Sequence, residues 1–165
     1  MTDDMSKGPD ELDELPPPAN ALEAKERARA ARNARDKKAR DAQRLIDLEA
    51  IEEIEIALGD SNVTVIDLPY TPGLPTCVAC RTPSDPELKR YRHRVASGAM
   101  KNEEGKATDP LAGVKAAEEL ADVVRVYPND ATYADVRKAR PGVHLQVGTA
   151  AVALAVGRKE QEGKA

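Results

Sequence analysis

The sequence contains no tryptophan and no phenylalanine, and four tyrosines make up its entire 2% of aromatic residues. A core built on large rings is therefore excluded, as is the reading of nucleic-acid bases by rows of stacked aromatics. Cysteine is scarce, with two residues, and no basic-then-apolar leader precedes them. The expectation is a reducing, cytoplasmic setting without a disulfide framework. No apolar run approaches the roughly 18–20 residues that a membrane-spanning helix needs. Serine is sparse, and there is no Gly-rich phosphate loop and no nucleophile elbow. Carboxylates are plentiful, but they sit on helical stretches rich in Lys and Arg, where ion pairing accounts for them. No catalytic constellation, cofactor or metal set is expected.

What is present is a pattern of charge blocks. The formal net charge is −4. Residues 1–20 carry six acids against Lys7, and residues 21–44 carry nine bases against four acids. Residues 45–60 carry six acids and no base, while 61–165 are nearly balanced. Segregation of this kind favours solvated, interaction-prone segments over an evenly mixed surface.

Residues 1–20 read as a disordered acidic leader, closed by Pro16-Pro17-Pro18. Asn20 is a candidate N-cap, with Glu23 three residues on. From Ala21 to Leu58 there is no Gly and no Pro, and strong helix formers dominate, which predicts one long charged helix. Its first two thirds bury little. In its last third Leu45, Leu48, Ile51, Ile54 and Leu58 recur at steps of three and four and read as one apolar stripe. That stripe is expected to pack on the downstream domain or, as in a coiled coil, on another chain. Gly59-Asp60-Ser61-Asn62 stops the helix.

Residues 59–157 read as a hairpin plus a helical domain. Val63–Leu68 and Thr76–Arg81 predict two strands joined by a proline-rich connection; its three prolines argue against a central strand position. Ser84-Asp85-Pro86-Glu87 predicts a capped helix through Leu88, Tyr91 and Val95. Residues 97–109 read as a flexible loop. A helix starting at Pro110 presents Val114, Ala117, Leu120, Ala121 and Val124, and ends by Pro128. A short helix over 131–139 follows, and Pro141-Gly142 leads into a final helix through about Val156, ended by Gly157. A polar tail, 158–165, closes the chain. The fold class is mainly α with a small β-hairpin.

Cys77-Val78-Ala79-Cys80 could in principle hold zinc or exchange disulfides. Twelve residues separate Cys80 from His93, but positions 97–99 are Ser, Gly and Ala, so the second histidine of a zinc finger is missing. On a strand, residues three apart point to opposite faces, so the sulfurs diverge. Small apolar fillers are the expected role. His93 lies in Arg92-His93-Arg94, an exposed basic cluster. The basic run Lys25–Arg44 is interrupted by acids, lacks aromatics and precedes an acidic block, which points away from nucleic acid. In the final helix Val143, Val147, Ala150, Ala151 and Leu154 share one side, and Leu145, Val152 and Val156 lie towards another. Such a helix is central to a core or covered by a partner.

Three runs carry a family resemblance: Pro83-Ser-Asp-Pro-Glu-Leu-Lys-Arg-Tyr-Arg, Ala117-Ala-Glu-Glu-Leu-Ala-Asp-Val-Val-Arg-Val-Tyr-Pro, and Arg140-Pro-Gly-Val before an Ala-rich helix with Gly148. With the order of elements over about residues 63–157, they resemble the small tail assembly chaperones of long-tailed bacteriophages. The resemblance implies a non-enzymatic role in virion assembly. Such a chaperone coats the helical tape-measure protein, helps recruit tail tube protein and leaves as the tube forms. Helix-in-groove binding of this kind needs exposed apolar stripes. The expected partner-binding residues are Leu45, Leu48, Ile51, Ile54, Leu58, Val147, Ala151 and Leu154, with self-association also open. The competing readings are a structural tail or neck adaptor that stays in the particle and, third, a basic-helix nucleic-acid binder.

Overall fold

The computed structural model describes residues 20–162, apart from the side chains beyond Gly157. Residues 1–19 of the expected acidic leader over 1–20, and the end of the polar tail, lie outside the described residues. The chain divides into two units, Met1–Lys38 and Ala39–Ala165. The boundary falls inside the long helix, α1 (Ala21–Leu58), so its last turns belong with the hairpin and helices downstream.

In the first unit the described residues are the start of α1. Asn20 caps it as expected: its Oδ1 accepts the Glu23 N–H at 2.9 Å and its carbonyl accepts the Ala24 N–H at 3.1 Å. The Glu23 carboxylate engages Arg27 one turn on, the local ion pairing that a polar helix uses in place of a buried face.

The second unit is mainly helical with a small antiparallel sheet. After α1 come a 3-10 turn (Asp60–Asn62), β1 (Val63–Asp67), β2 (Cys77–Arg81), α2 (Asp85–Ala99), α3 (Ala112–Val124), β3 (Arg125–Tyr127), α4 (Asp130–Ala139) and α5 (Val143–Glu162). The predicted hairpin is present, with Val63 opposite Arg81 and Asp67 opposite Cys77. It is not alone. β3 adds antiparallel to the other edge, so β2 is central in the order β1-β2-β3. The prolines do not prevent this, because Pro69, Pro72 and Pro75 all fall in the connection and none removes a ladder donor.

Each face of β2 meets a different layer. Val78 and Cys80 join the larger core with Leu120, Val124, Tyr133, Val136 and Val147, from α3, α4 and α5. Cys77 and Ala79 join a smaller core with Ile51 of α1 and Val63. The period of two thus sends the two cysteines to opposite sides, as expected.

The helices pack through small residues. A Cβ at Gly148 of α5 would stand 1.9 Å from the Ala117 carbonyl oxygen of α3, and one at Gly98 of α2 would stand 2.0 Å from the Ala112 Cβ. Helix α3 is therefore gripped on two sides, which buries Ala112 and Ala116 and leaves Val114, expected on the apolar face, exposed.

Other differences from expectation have local causes. Residues 97–99 are helical, and 100–109 close on themselves through a Lys101–Ala107 bridge and the Asn102 side chain, which accepts the Glu104 and Lys106 N–H groups. Helix α5 passes Gly157 and continues to Glu162. A glycine costs a helix only about 1 kcal/mol relative to alanine, and the preceding turns carry that cost. The Ser84 capping box forms in full, and Asn129 Oδ1 caps α4 by accepting the Thr132 N–H at 3.0 Å.

Candidate functional site

A buried carboxylate decides which face of α1 is free. Asp47 lies within the expected apolar stripe yet is fully buried. Its Oδ2 accepts the Thr76 N–H and the Thr76 hydroxyl, each at 2.6 Å. Its Oδ1 accepts the Tyr127 hydroxyl at 2.6 Å and the Gln43 amide at 2.9 Å. Burial pushes the Asp47 carboxyl up, but the bonds from Thr76, Tyr127 and Gln43 together outweigh it and hold the carboxyl below its ordinary value. The same contact raises the Tyr127 hydroxyl, through burial first and then the bond to Asp47. A charged buried group is tolerable only when so satisfied. Arg44 adds an exposed bond to Asp67 at 3.0 Å.

With Asp47 inward, helical geometry assigns the rest. Each residue advances about 100°, so steps of three lag by about 60° and the series 45, 48, 51, 54 turns through about 180°. The stripe read from spacing is therefore not one face. Ile51 is buried against Val63, Cys77 and Ala79, and Ile54 is half-buried beside it. Leu45 and Leu48 face solvent, 62% and 45% exposed, and Leu58 is exposed at the helix end. Two residues absent from the expected set complete the outer surface: Ile46 at 59% and Ile56 at 78% exposure. Ile56 lies about 180° from Asp47. Adding 100° per residue, instead of counting steps, would have found it. Glu49, Glu52 and Glu53 are exposed among these residues, so the ridge is apolar and acidic at once.

The candidates on the final helix are corrected more strongly. Val147 and Ala151 are completely buried in the larger core, and Leu154 is half-buried. A helix with apolar residues around much of its circumference is here the centre of a core, enclosed by β2, α3 and α4. Ile51, Val147 and Ala151 are thus unavailable to a partner in the folded chain.

Two further groups have chemical potential on paper. Tyr133 Oη lies 3.0 Å from His144 Nδ1, and His144 Nε2 lies 3.2 Å from Asp122 Oδ1. The Arg125 guanidinium stacks 4.5 Å from the Tyr133 ring centre and engages the Pro128 carbonyl and Asp130. Burial lowers the pKa of His144, and the Asp122 charge only partly offsets this; burial pushes the Tyr133 hydroxyl up to about 12. The neutral ring then donates to Asp122 and accepts from Tyr133. His144 and Tyr133 are buried and bonded to each other, which makes them a clamp between α4 and α5. The thiols of Cys77 and Cys80 are both raised to about 11, by burial first, and in Cys77 also by the Asp47 charge. Thiols so raised are weak nucleophiles at neutral pH.

Among the described residues no group of three or more His, Cys, Asp or Glu is placed to hold a metal ion, and no helix is long and apolar enough to cross a membrane. No protein-family model, curated protein or solved structure matches this chain.

Proposed function

We propose that this chain is a non-enzymatic protein-binding factor whose docking surface is the outer ridge of α1, centred on Leu45, Leu48 and Ile56. The observation that carries this is the rotation of α1 imposed by Asp47. It turns three large aliphatic side chains away from a core that has room for them only at Ile51 and Ile54. Scattered apolar residues on a surface are ordinary, but a row along one helix marks an interaction site. The glutamates between them keep the free protein soluble and favour a partner surface of mixed apolar and basic character.

Within this reading, the resemblance to tail assembly chaperones names the particular role. The chain binds the tape-measure protein in the host cytoplasm and aids assembly of tail tube protein around it. Helix-on-helix docking suits a rod-like helical partner.

The test is co-purification with helical tape-measure segments, comparing the wild type with Leu48→Glu and Ile56→Glu. Both variants are expected to melt like the wild type and to lose binding. Undiminished binding by both removes the ridge from the account. Quantifying the chain in purified particles separates the two phage readings: a chaperone is absent, whereas a structural adaptor is present in fixed ratio.

A further inference from the structure

We propose that the trough between α2 and α3 is a second docking surface, which takes an acidic amphipathic helix of a partner protein. Its chemistry is opposite in sign to that of the α1 ridge, and it is argued independently of that ridge.

The rim is cationic. Lys89, Arg90, His93 and Arg94 recur at the spacing of one helical face and are all exposed. Nearby acids are already engaged: Glu87 is bonded twice to Arg81, at 2.8 and 2.9 Å, and Glu119 pairs with Arg94 at 3.5 Å. The Arg81 bonds hold the Glu87 carboxyl down at about 2. Arg90 has no acidic partner among the described residues. Among the described residues, Lys89 and Arg90 thus add positive charge to this face that no ion pair offsets.

The floor is apolar. Half-buried Tyr91 and buried Leu120 lie at the bottom of a cavity of about 220 Å³, and Val123 stands at its lip, 53% exposed. A second, shallower cavity of about 500 Å³ adjoins it along the outer side of α2 and shares Arg90 and Glu119. The inner cavity is below the size that encloses a drug-sized ligand and suits a single side-chain anchor. A trough between two packed helices with a basic rim matches a third helix that sets an aliphatic anchor inward and carboxylates at the sides. Nucleic acid fits less well, because one recessed tyrosine offers no stacking platform and Val123 has no role on a phosphate backbone.

The experiment titrates the full chain into a fluorescent amphipathic peptide of about 18 residues, long enough to hold a helix, with Leu on one face and Glu on the other. A Lys-for-Glu peptide and a duplex DNA are run beside it. The expected result is saturable binding of the acidic peptide, weakened as salt rises towards about 1 M, where the screening length falls to about 3 Å. Arg90→Glu and Val123→Asp, both at exposed positions, are expected to weaken binding at least about tenfold, some 1.4 kcal/mol, with melting unchanged. Leu48→Glu is expected to bind as the wild type does. The proposal is overturned by no binding of the acidic peptide at low salt, by binding that Arg90→Glu and Val123→Asp leave intact, or by DNA binding that depends on Arg90 while the peptide does not bind. A concentration-dependent dimer that Arg90→Glu dissolves also overturns it, since the occupant is then a second copy.

Discussion

Tyr127 reaches across 80 positions of sequence to place its hydroxyl 2.6 Å from Asp47 Oδ1. One bond thus joins the last strand of the sheet to the helix that covers its far side. Removing it in Tyr127→Phe leaves Asp47 with its bonds from Thr76 and Gln43 but withdraws one donor from a buried charge. The expected loss is about 1.5–3 kcal/mol, the range for bonds to charged groups. Urea denaturation measures it. Hydrogen exchange in the last turns of α1 is expected to speed up more than exchange in α3 or α5. An unchanged midpoint means that the contact adds nothing to stability.

Acid is expected to unfold the chain in two stages. The folded pKa of His144 lies below its ordinary 6.5, so below that pH the unfolded chain binds the extra proton first. Its share of stability is present above pH 6.5 and is lost as pH falls through the folded value. His144→Gln should flatten this first stage. Glu87 is depressed from 4.5 to about 2, and Asp47 also lies below its ordinary 3.8. Their contributions are complete above the unfolded values and disappear as pH falls through the folded ones. Glu87→Gln should flatten the second stage, below about 4.5. Melting temperature against pH checks both signs.

Glycines of equal propensity should differ sharply on substitution. At Gly148 a methyl group would collide with the Ala117 backbone, so Gly148→Ala is expected to cost about 1–3 kcal/mol or more, as overpacking does. At Gly113, inside α3, a Cβ meets nothing within 4 Å, and Gly113→Ala should gain up to about 1 kcal/mol from helix propensity. Thermal melts of the two variants should move in opposite directions.

Thiol labelling reports on the sheet. With Cys77 and Cys80 buried and their thiols raised to about 11, Ellman's reagent is expected to react slowly with the native chain and rapidly in denaturant. Fast native labelling would mean that β2 opens far more often than its central position suggests.

The contrast between Val147 and Leu48 tests the corrected docking surface. Val147→Asp buries an unpaired charge in the larger core and should unfold the unit. Leu48→Glu changes an exposed position and should leave the melt within about 0.5 kcal/mol of the wild type. A folded Val147→Asp protein would return α5 to the candidate surfaces.

Much of the local structure was legible from neighbouring residues alone. The uninterrupted run from Ala21 to Leu58, the Ser84-to-Glu87 box and the divergence of the two cysteines all depend on chemistry within a few positions. The candidate site was legible only in part. Leu45 and Leu48 were found because aliphatic residues in an acidic helix stand out. Ile46 and Ile56 were missed, and Ile51 was misplaced, because residues three apart drift around a helix and composition does not say which side is covered. Strand β3 was invisible for a related reason: three residues, Arg-Val-Tyr, become a strand only when β2 lies beside them.

By itself, then, the sequence determined the helices and the hairpin, though not the end of α5 or the strand β3, since caps, breakers and propensity act over single turns. It also determined that no large aromatic core could form. Tertiary structure alone decided which side of α1 meets the interior and that α5 is enclosed by the core. An aspartate, a threonine and a tyrosine distant in sequence converge to rotate α1, and glycine-to-alanine contacts draw α5 into the centre. These choices rest on burial and hydrogen bonding between distant segments, and a linear pattern carries no record of them until the chain has closed on itself.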